Sequence, residues 1–272
     1  MGGFGTDLVG GEFVPVGARA GLLVVHGMAE HRGRYAESVR RFNEQGIACF
    51  TFDLRGHGES PGNRADIPSF QTYVDDLIAV RHHIREAHPT LPLFIWAHSL
   101  GSIVAIRSVE QDAGGLRGVI TSGCPIDAFP KLPSPVRGTV VALFTPFRSM
   151  LVNPGLPSKD LSHSKSVQAQ YEQDPLVPDK VTVRLLIELE SACRAALADA
   201  GTITVPWLAL HGEADNIAPP SGSKKLVDAL GSTDKTLKLF AGMRHEVHNE
   251  IEPAASEFHG LVIHWIGQRA AV

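Results

Sequence analysis

The chain has 272 residues, of which 43% are hydrophobic and 20% are charged, and its formal net charge is −4. This composition is typical of one globular domain and excludes an intrinsically disordered chain. Because no cluster of Lys and Arg stands out, a nucleic-acid partner is also disfavoured. We therefore expect a single domain over residues 1–272.

The N-terminal segment and the cysteines both bear on cellular location. The first residues, MGGFGTDLVGGEF, lack the basic region and the continuous apolar run of a secretory signal. Three scattered cysteines, Cys49, Cys124 and Cys193, favour a reducing compartment over a disulfide framework. We expect a cytoplasmic protein.

Short apolar runs bounded by turn residues alternate along the chain with segments of helical periodicity. This alternation predicts the α/β class, with a mostly parallel central sheet flanked by helices. Between Ser69 and Glu86 the apolar residues recur on one stripe, which predicts a helix that packs on the sheet. The predicted strands are residues 21–26, 46–52, 91–96, 116–121, 204–210 and 236–240.

The stretch IWAHSLGS, residues 95–102, has the pattern of a nucleophile elbow, in which a strand, a tight turn and a helix follow one another. Ala97 and Gly101 lie two positions before and two positions after Ser99, and small residues there let the strand and the helix approach closely. A serine that caps the N-terminus of a helix would give the same local pattern. The motif alone therefore leaves both interpretations open.

The segment between Thr121 and Thr204 is far longer than an ordinary connection and is interrupted by several prolines. Its apolar residues crowd together in VVALFTPFRSMLV, residues 140–152. An ordinary pair of core helices and a lid with an apolar inner face over a pocket fit this pattern equally well. We predict a helical cap, or lid, over about residues 124–202, and its apolar stretch suggests peripheral contact with a membrane.

A catalytic serine in such an elbow needs an acid and a histidine at the ends of later strands. Asp215 follows the fifth predicted strand, where its carboxylate could orient an imidazole ring. His245 follows the sixth predicted strand, where it could take the Ser99 proton and pass it to a leaving alcohol. Glu213 and His248 are the rival acid and base, and we favour Asp215 and His245.

Acyl transfer also needs two fixed donors for the oxyanion that develops on the substrate. One candidate is the backbone N–H of Leu100, in the first turn of the helix after Ser99. The other is the backbone N–H of Met28, which follows Gly27 at the end of the first predicted strand, although a His-Gly pair there is also ordinary turn chemistry. This chemistry needs neither a metal ion nor a cofactor.

Six short segments, each present once, are spread in order along most of the chain from about residue 20 onward. They are HGMAEHRGRY (26–35), FDLRGHGES (52–60), AHSLG (97–101), QYEQDPLV (170–177), HGEAD (211–215) and GMRHEVHNE (242–250). Together they resemble the monoacylglycerol lipase and lysophospholipase group of serine hydrolases, within the α/β-hydrolase superfamily. The resemblance implies the α/β-hydrolase fold, and QYEQDPLV looks like the lid segment of that group.

The resemblance also implies functional residues. It agrees with Ser99 as nucleophile, Asp215 as orienting acid and His245 as base, and it implies the amides of Met28 and Leu100 as the oxyanion donors.

Four further side chains are implied near the polar end of the pocket, where such enzymes hold a glycerol head group. They are Glu30, Arg34, Tyr171 and His248. For Glu30 and Arg34, an ion pair that only ties the loop to its helix is an equally good interpretation.

The chain departs from the family pattern in three places. Ala97 replaces the first glycine of the elbow, and Ala29 replaces a glycine of the oxyanion loop, which predicts a stiffer loop. The segment before the Leu22 strand is short and lacks part of an early hairpin, so a bare edge strand could support a homodimer. None of these departures removes a catalytic group.

These observations predict a serine carboxylic ester hydrolase that cleaves monoacylglycerols or similar single-chain lipid esters through an acyl-enzyme intermediate. A small-ester carboxylesterase, a thioesterase or a peptidase would use the same triad, and the fold does not distinguish among them. A ligand-binding module that has kept the pocket without turnover is an alternative of a different class.

Overall fold

The computed structural model describes residues 7–129 and 134–271, and within these residues a seven-stranded sheet forms the centre of the molecule. The strands are β1 (Gly10–Phe13), β2 (Ala20–Val25), β3 (Ile47–Phe52), β4 (Leu93–His98), β5 (Leu116–Ser122), β6 (Leu151–Val152), β7 (Val181–Thr182), β8 (Trp207–Gly212) and β9 (Lys235–Phe240). Strand order is β1-β3-β2-β4-β5-β8-β9, while β6 and β7 pair separately. All six predicted strands are confirmed, with ends displaced by at most three residues.

Helices cover both faces of this sheet, as predicted. They are α1 (Ala36–Asn43), α2 (Phe70–Ala87), α3 (Leu100–Gln111), α4 (Ser134–Phe144), α5 (Ser158–Leu161), α6 (Lys165–Gln173), α7 (Val183–Asp199), α8 (Ser221–Ala229) and α9 (Ala254–Ala270). The predicted helix over residues 69–86 is α2, and Ser69 caps it by accepting a hydrogen bond from the N–H of Gln71.

Two apolar layers separate the sheet from its helices. The side chains of α1 and α9 pack on one face, against Leu22, Phe94 and Trp96. The helices α2, α3 and α7 pack on the other face, against Leu23 and Ile95. Every residue of β2, β3 and β4 is buried, as expected for parallel strands that are covered on both sides.

The expectation of a bare edge strand is wrong. The short strand β1, which sequence patterning did not predict, pairs antiparallel with β3 and covers it from Cys49 to Phe52. Two glycines and only four residues give β1 little pattern to recognise. Pro15 lies two residues after the end of β1, and a short edge near a proline is a poor template for pairing with a second chain.

The segment between β5 and β8, where the sequence predicts a cap, contains α4 to α7 and the short strands β6 and β7. Its last helix, α7, packs on α3 and buries Leu185, Leu189 and Ala196 in the core. Residues 130–133 of the predicted cap, like residues 1–6 and 272 of the predicted domain, lie outside the described residues.

Residues 138–152, here named the apolar segment, lie within this predicted cap. Five large hydrophobic side chains of the segment are 45% to 65% exposed: Leu143, Phe144, Phe147, Met150 and Leu151. Such exposure excludes the interpretation of this stretch as an ordinary pair of core helices.

Candidate active site

Four loops meet at the carboxyl edge of the parallel strands. Met28 lies after β2, Ser99 after β4, Asp215 after β8 and His245 after β9. Because the carboxyl ends of parallel strands share one edge of a sheet, this topology gathers residues that are far apart in sequence. The chain order of serine, acid and histidine is that of hydrolases with a nucleophile elbow.

Ser99 occupies the tight turn between β4 and α3 with φ 51° and ψ −121°. A left-handed backbone at a residue other than glycine costs about 1–3 kcal/mol and is typical of active sites. The N–H of Ser99 donates to the carbonyl of Ser122 at 2.9 Å, which holds the turn against β5. Ser99 stands at the N-cap position of α3, but its side chain makes no capping hydrogen bond there.

Close packing behind the elbow explains its small residues. A methyl group on Gly101 would lie 2.5 Å from the carbonyl oxygens of Val25 and His26, so α3 can pass β2 only with glycine at this position. Ala97 is fully buried within β4, and the fold accommodates its methyl group.

Of the two candidate acids, Asp215 is buried and Glu213 is exposed. The Asp215 Oδ1 atom accepts the N–H groups of Ile217 and Ala218, each at 2.9 Å. Its Oδ2 atom accepts Nδ1–H of His245 at 2.7 Å. This contact fixes the ring of His245 with Nε2 free to act as a base.

A second histidine shares the same carboxylate oxygen. His211 Nε2 lies 3.0 Å from Asp215 Oδ2 and 2.7 Å from the carbonyl oxygen of Ala218, while its Nδ1 accepts the Ser223 hydroxyl at 2.7 Å. The ring is completely buried. His211 therefore helps to orient the same carboxylate oxygen that contacts His245.

Electrostatics match the roles of acid and base. Burial opposes ionisation of Asp215, but the charge of His245 and the hydrogen bonds from both histidines outweigh it and hold the pKa of Asp215 well below its usual range. Burial lowers the pKa of His245, and the Asp215 carboxylate more than compensates, so the net shift is upward. The pair thus combines an ionised acid with a strengthened base.

The His245 ring lies directly beside the elbow. Its centroid is 4.7 Å from that of His98, the residue that precedes Ser99. His98 Nδ1 is 3.1 Å from Ser122 Oγ, which also accepts the indole N–H of Trp96 at 3.1 Å. Burial and the two neighbouring histidines lower the pKa of His98 far below its usual value, so this ring stays neutral beside the base.

The loop after β2 approaches the serine from the other side. A methyl group on Gly27 would lie 3.0 Å from Ser99 Cβ, so this loop and the elbow are in contact. Ala29 is buried with φ 54°, a strained value for alanine. Met28 lies between these two residues, and Leu100 opens α3, where the first N–H groups have no acceptor within the helix.

Glu30 fastens this loop from within. Its Oε1 atom accepts the N–H of Gly27 and the hydroxyl of Tyr35, the latter at 2.9 Å, and its Oε2 atom accepts Arg34 at 3.0 Å. The Glu30 side chain is 4% exposed. Glu30 therefore forms the predicted ion pair with Arg34, which ties the loop to the neighbouring helical turn.

Arg34 extends the same network to the loop of the base. Its two terminal nitrogens donate to the two carboxylate oxygens of Glu246 at 2.7 and 2.8 Å. The guanidinium also lies over the ring of Tyr171, at 4.8 Å from the centroid. Three of the four residues implied for the polar end of the pocket, Glu30, Arg34 and Tyr171, are thus adjacent.

His248 lies deeper. Its ring stacks on Tyr35 at 5.3 Å and packs edge-on against Trp96 and His98, each at 5.1 Å. Both of its ring nitrogens are buried and have no hydrogen-bond partner among the described residues. Burial lowers the pKa of His248 to about 3, so the ring is neutral.

The cap touches these loops through polar contacts. His31 Nε2 lies 2.7 Å from Asp174 Oδ2 just after α6, and the N–H of Glu246 donates to the carbonyl of Leu161 at 2.8 Å. A polar cavity of about 510 Å³ opens between α6 and the 31–34 turn. Its polar lining includes His31, Arg34, Gln170, Gln173, Asp174 and Asn249.

Sequence reasoning missed His211, Glu246 and the His31–Asp174 contact. Each lies inside a segment that carried the family resemblance, but single residues within a motif give no sign of their partners. Among the residues that the structure describes, no group of three or more His, Cys, Asp or Glu side chains is placed to hold a metal ion.

The chain matches known proteins over most of its length. A model of the family described as serine aminopeptidase, S33, matches residues 17–252. The chain belongs to this family of α/β hydrolases. It is 31% identical to the monoacylglycerol lipase of Mycolicibacterium smegmatis over 240 residues, which are 86% of this chain and 84% of that protein.

Two further relatives extend the comparison. The hydrolase is 30% identical over 260 residues to the monoglyceride lipase of Homo sapiens, covering 94% of this chain and 86% of that one. A crystal structure of Paleococcus ferrophilus monoacylglycerol lipase matches with a TM-score of 0.84 and 31% identity, over 97% of this chain and all of the other. The predicted α/β-hydrolase fold and the resemblance to the monoacylglycerol lipase group are confirmed.

Proposed function

We propose that the hydrolase cleaves monoacylglycerols, or similar esters of a single fatty acyl chain, through an acyl-enzyme on Ser99. The observation that carries this proposal is the strained Ser99 turn beside the buried Asp215–His245 pair at one edge of the sheet. The relatives named monoacylglycerol and monoglyceride lipases support the substrate class.

The proposed mechanism has two steps, acylation and deacylation of Ser99. His245 Nε2 takes the hydroxyl proton as Ser99 Oγ attacks the ester carbonyl, and the N–H groups of Met28 and Leu100 stabilise the oxyanion. Collapse of the tetrahedral intermediate breaks the bond to the alcohol, which leaves with the proton from His245. Water then attacks the acyl-Ser99 ester with His245 again as base, releasing the fatty acid.

The head group is proposed to bind beside Tyr171 and His248. The two unpartnered nitrogens of His248 support this placement, since buried polar atoms of this kind are satisfied by a ligand or by water. Glu30 and Arg34 belong to the same end of the pocket, where their polar atoms already form hydrogen bonds within the protein.

The decisive experiment compares substrates and one variant. Purified protein is expected to hydrolyse monooctanoylglycerol and p-nitrophenyl octanoate, and Ser99→Ala is expected to lose this activity and its labelling by a fluorophosphonate probe. Turnover by Ser99→Ala at the wild-type rate would remove the proposal. Wild-type protein that neither turns over nor becomes labelled would instead favour a binding module.

Amide hydrolysis is the second candidate, because the matching family is described as an aminopeptidase. An alanine p-nitroanilide in the same assay separates the two activities. A higher kcat/KM for the anilide than for the octanoyl ester would favour amide hydrolysis over ester hydrolysis.

We also propose that the apolar segment contacts the membrane surface from which the substrate is taken. Among the described helices, none is long and apolar enough to cross a membrane. The five exposed hydrophobic side chains of the apolar segment support interfacial contact instead. The protein is expected to float with phosphatidylcholine vesicles containing monooleoylglycerol, and recovery only in the protein-alone fraction would contradict this proposal.

A further inference from the structure

Arg34 joins the two loops that carry the candidate oxyanion donor and the candidate base. On one side its guanidinium donates to Glu30, which in turn accepts the N–H of Gly27, the residue before Met28. On the other side it donates twice to Glu246, the residue after His245. The contact between Arg34 and Glu246 spans 212 positions of the chain, so one side chain connects two loops that are remote in sequence.

Three ionisable side chains are buried in this connection, and burial raises the pKa of Glu30 above its usual value despite the charge of Arg34. Arg34 is 9% exposed, Glu30 4% and Glu246 2%. Burial opposes ionisation of Glu246, but Arg34 overcomes this effect and holds the pKa of Glu246 well below its usual range. A buried ion cluster adds little net stability compared with apolar side chains of similar size. Its best-supported role is to favour one arrangement of the surrounding groups.

A bidentate contact supplies the necessary rigidity. The planar guanidinium matches the two oxygens of Glu246, and this geometry fixes both distance and orientation. Glu246 is itself held by Asn249, whose side-chain amide donates to it at 2.8 Å. Movement of either loop would break at least one of these hydrogen bonds.

We propose that Arg34 is a positioning residue that fixes the oxyanion loop against the His245 loop through Glu30 and Glu246, rather than a ligand of the substrate head group. The inference rests on the proposed roles of Met28 and His245. Loss of this connection displaces donor and base relative to each other, and displacements of about 1 Å reduce rates about 100-fold.

The test uses two substrates that share an octanoyl chain and differ in the head group. Monooctanoylglycerol carries a glycerol head, and p-nitrophenyl octanoate does not. For Arg34→Lys, which keeps the charge but loses the bidentate contact, and for Glu246→Gln, we expect kcat to fall roughly 10- to 100-fold on both substrates. We expect KM to change by less than about threefold, since the ground-state contacts of the substrate are kept.

Arg40→Lys and Glu44→Gln are the matched controls, because they make the same substitutions in an exposed Arg–Glu ion pair at the end of α1. Both controls are expected to match wild type in both assays. Thermal denaturation identifies the folded variants, and Glu246→Gln decides the result if Arg34→Lys is unfolded at the assay temperature.

Three results would overturn the inference. One is a rise in KM confined to the glycerol ester, which would assign Arg34 to the head group. Another is unchanged kinetics on both substrates, and the third is unfolding of both variants while the controls stay folded. In all three cases the proposed function would still stand if wild type is active and Ser99→Ala is inactive. The proposed function would be refuted only if wild type is inactive or Ser99→Ala keeps wild-type activity.

Discussion

The floor of the site and the apolar segment of the cap are built by opposite rules. In the floor, made by the loops after β2, β4, β8 and β9, polar side chains such as Asp215 and Glu246 are buried and bonded on several sides. In the apolar segment, residues 138–152, large hydrophobic side chains are exposed. The floor thus pre-arranges charges for chemistry, and the segment keeps surface available for an apolar partner. Substitutions in the floor should therefore change catalysis, whereas substitutions in the apolar segment should change binding to vesicles.

Asp215→Asn should have the largest effect, because the amide cannot hold His245 in the required tautomer. We expect kcat to fall by about 10⁴-fold on both p-nitrophenyl octanoate and vesicle-bound monooleoylglycerol. Glu213→Gln, two positions away and exposed, is the matched control and should retain wild-type activity. Similar losses in both variants would contradict the assignment of the acid.

Leu143→Ser combined with Phe147→Ser should act only at a lipid surface. Burial of one large apolar side chain contributes about 1.5–3 kcal/mol, so vesicle affinity should fall by about tenfold or more for each substitution. The kcat/KM for p-nitrophenyl butyrate in free solution should not change. Val16→Ser is the control, because Val16 is a fully exposed valine between β1 and β2, outside the apolar segment. Equal vesicle binding by the double variant and wild type would contradict the proposed contact.

Lowering the pH should affect the floor and not the apolar segment. His245 acts as a base only when neutral, and Asp215 raises its pKa above the ordinary value of about 6.5. The kcat/KM for p-nitrophenyl octanoate should therefore decrease about tenfold per pH unit below this raised pKa. Vesicle flotation over the same range should stay constant, because the sequence of residues 138–152 contains no Asp, Glu or His. An acidic limb centred below about pH 6 would contradict the upward shift.

Ala29→Gly should have the smallest effect. Glycine adopts φ 54° without the strain of alanine, so the free energy of unfolding should rise by up to about 1 kcal/mol. The reverse change, Gly17→Ala, is the control, because Gly17 has φ 72° and open space around an added methyl group. Urea denaturation should show opposite shifts for the two variants. A destabilised Ala29→Gly would contradict strain in this loop.

Local patterns predicted the strands that carry the site, because short apolar runs between turn residues are a property of neighbouring positions. They also placed Ser99, Asp215 and His245 after three of these strands. They did not predict β1, whose two glycines and short length give no periodic signal. They also could not choose between a core and a surface position for residues 140–152, since apolar content is the same in both cases.

By itself the sequence determined the α/β class, the order of serine, acid and histidine, and the resemblance to the monoacylglycerol lipase group. Only the tertiary structure decided that Asp215 is buried while Glu213 is exposed, that His211 shares its carboxylate, and that Arg34 reaches Glu246. The physical reason is the range of the interactions. Periodicity and turn chemistry act over a few residues, whereas burial and ion pairing depend on which distant segments the sheet brings to one edge.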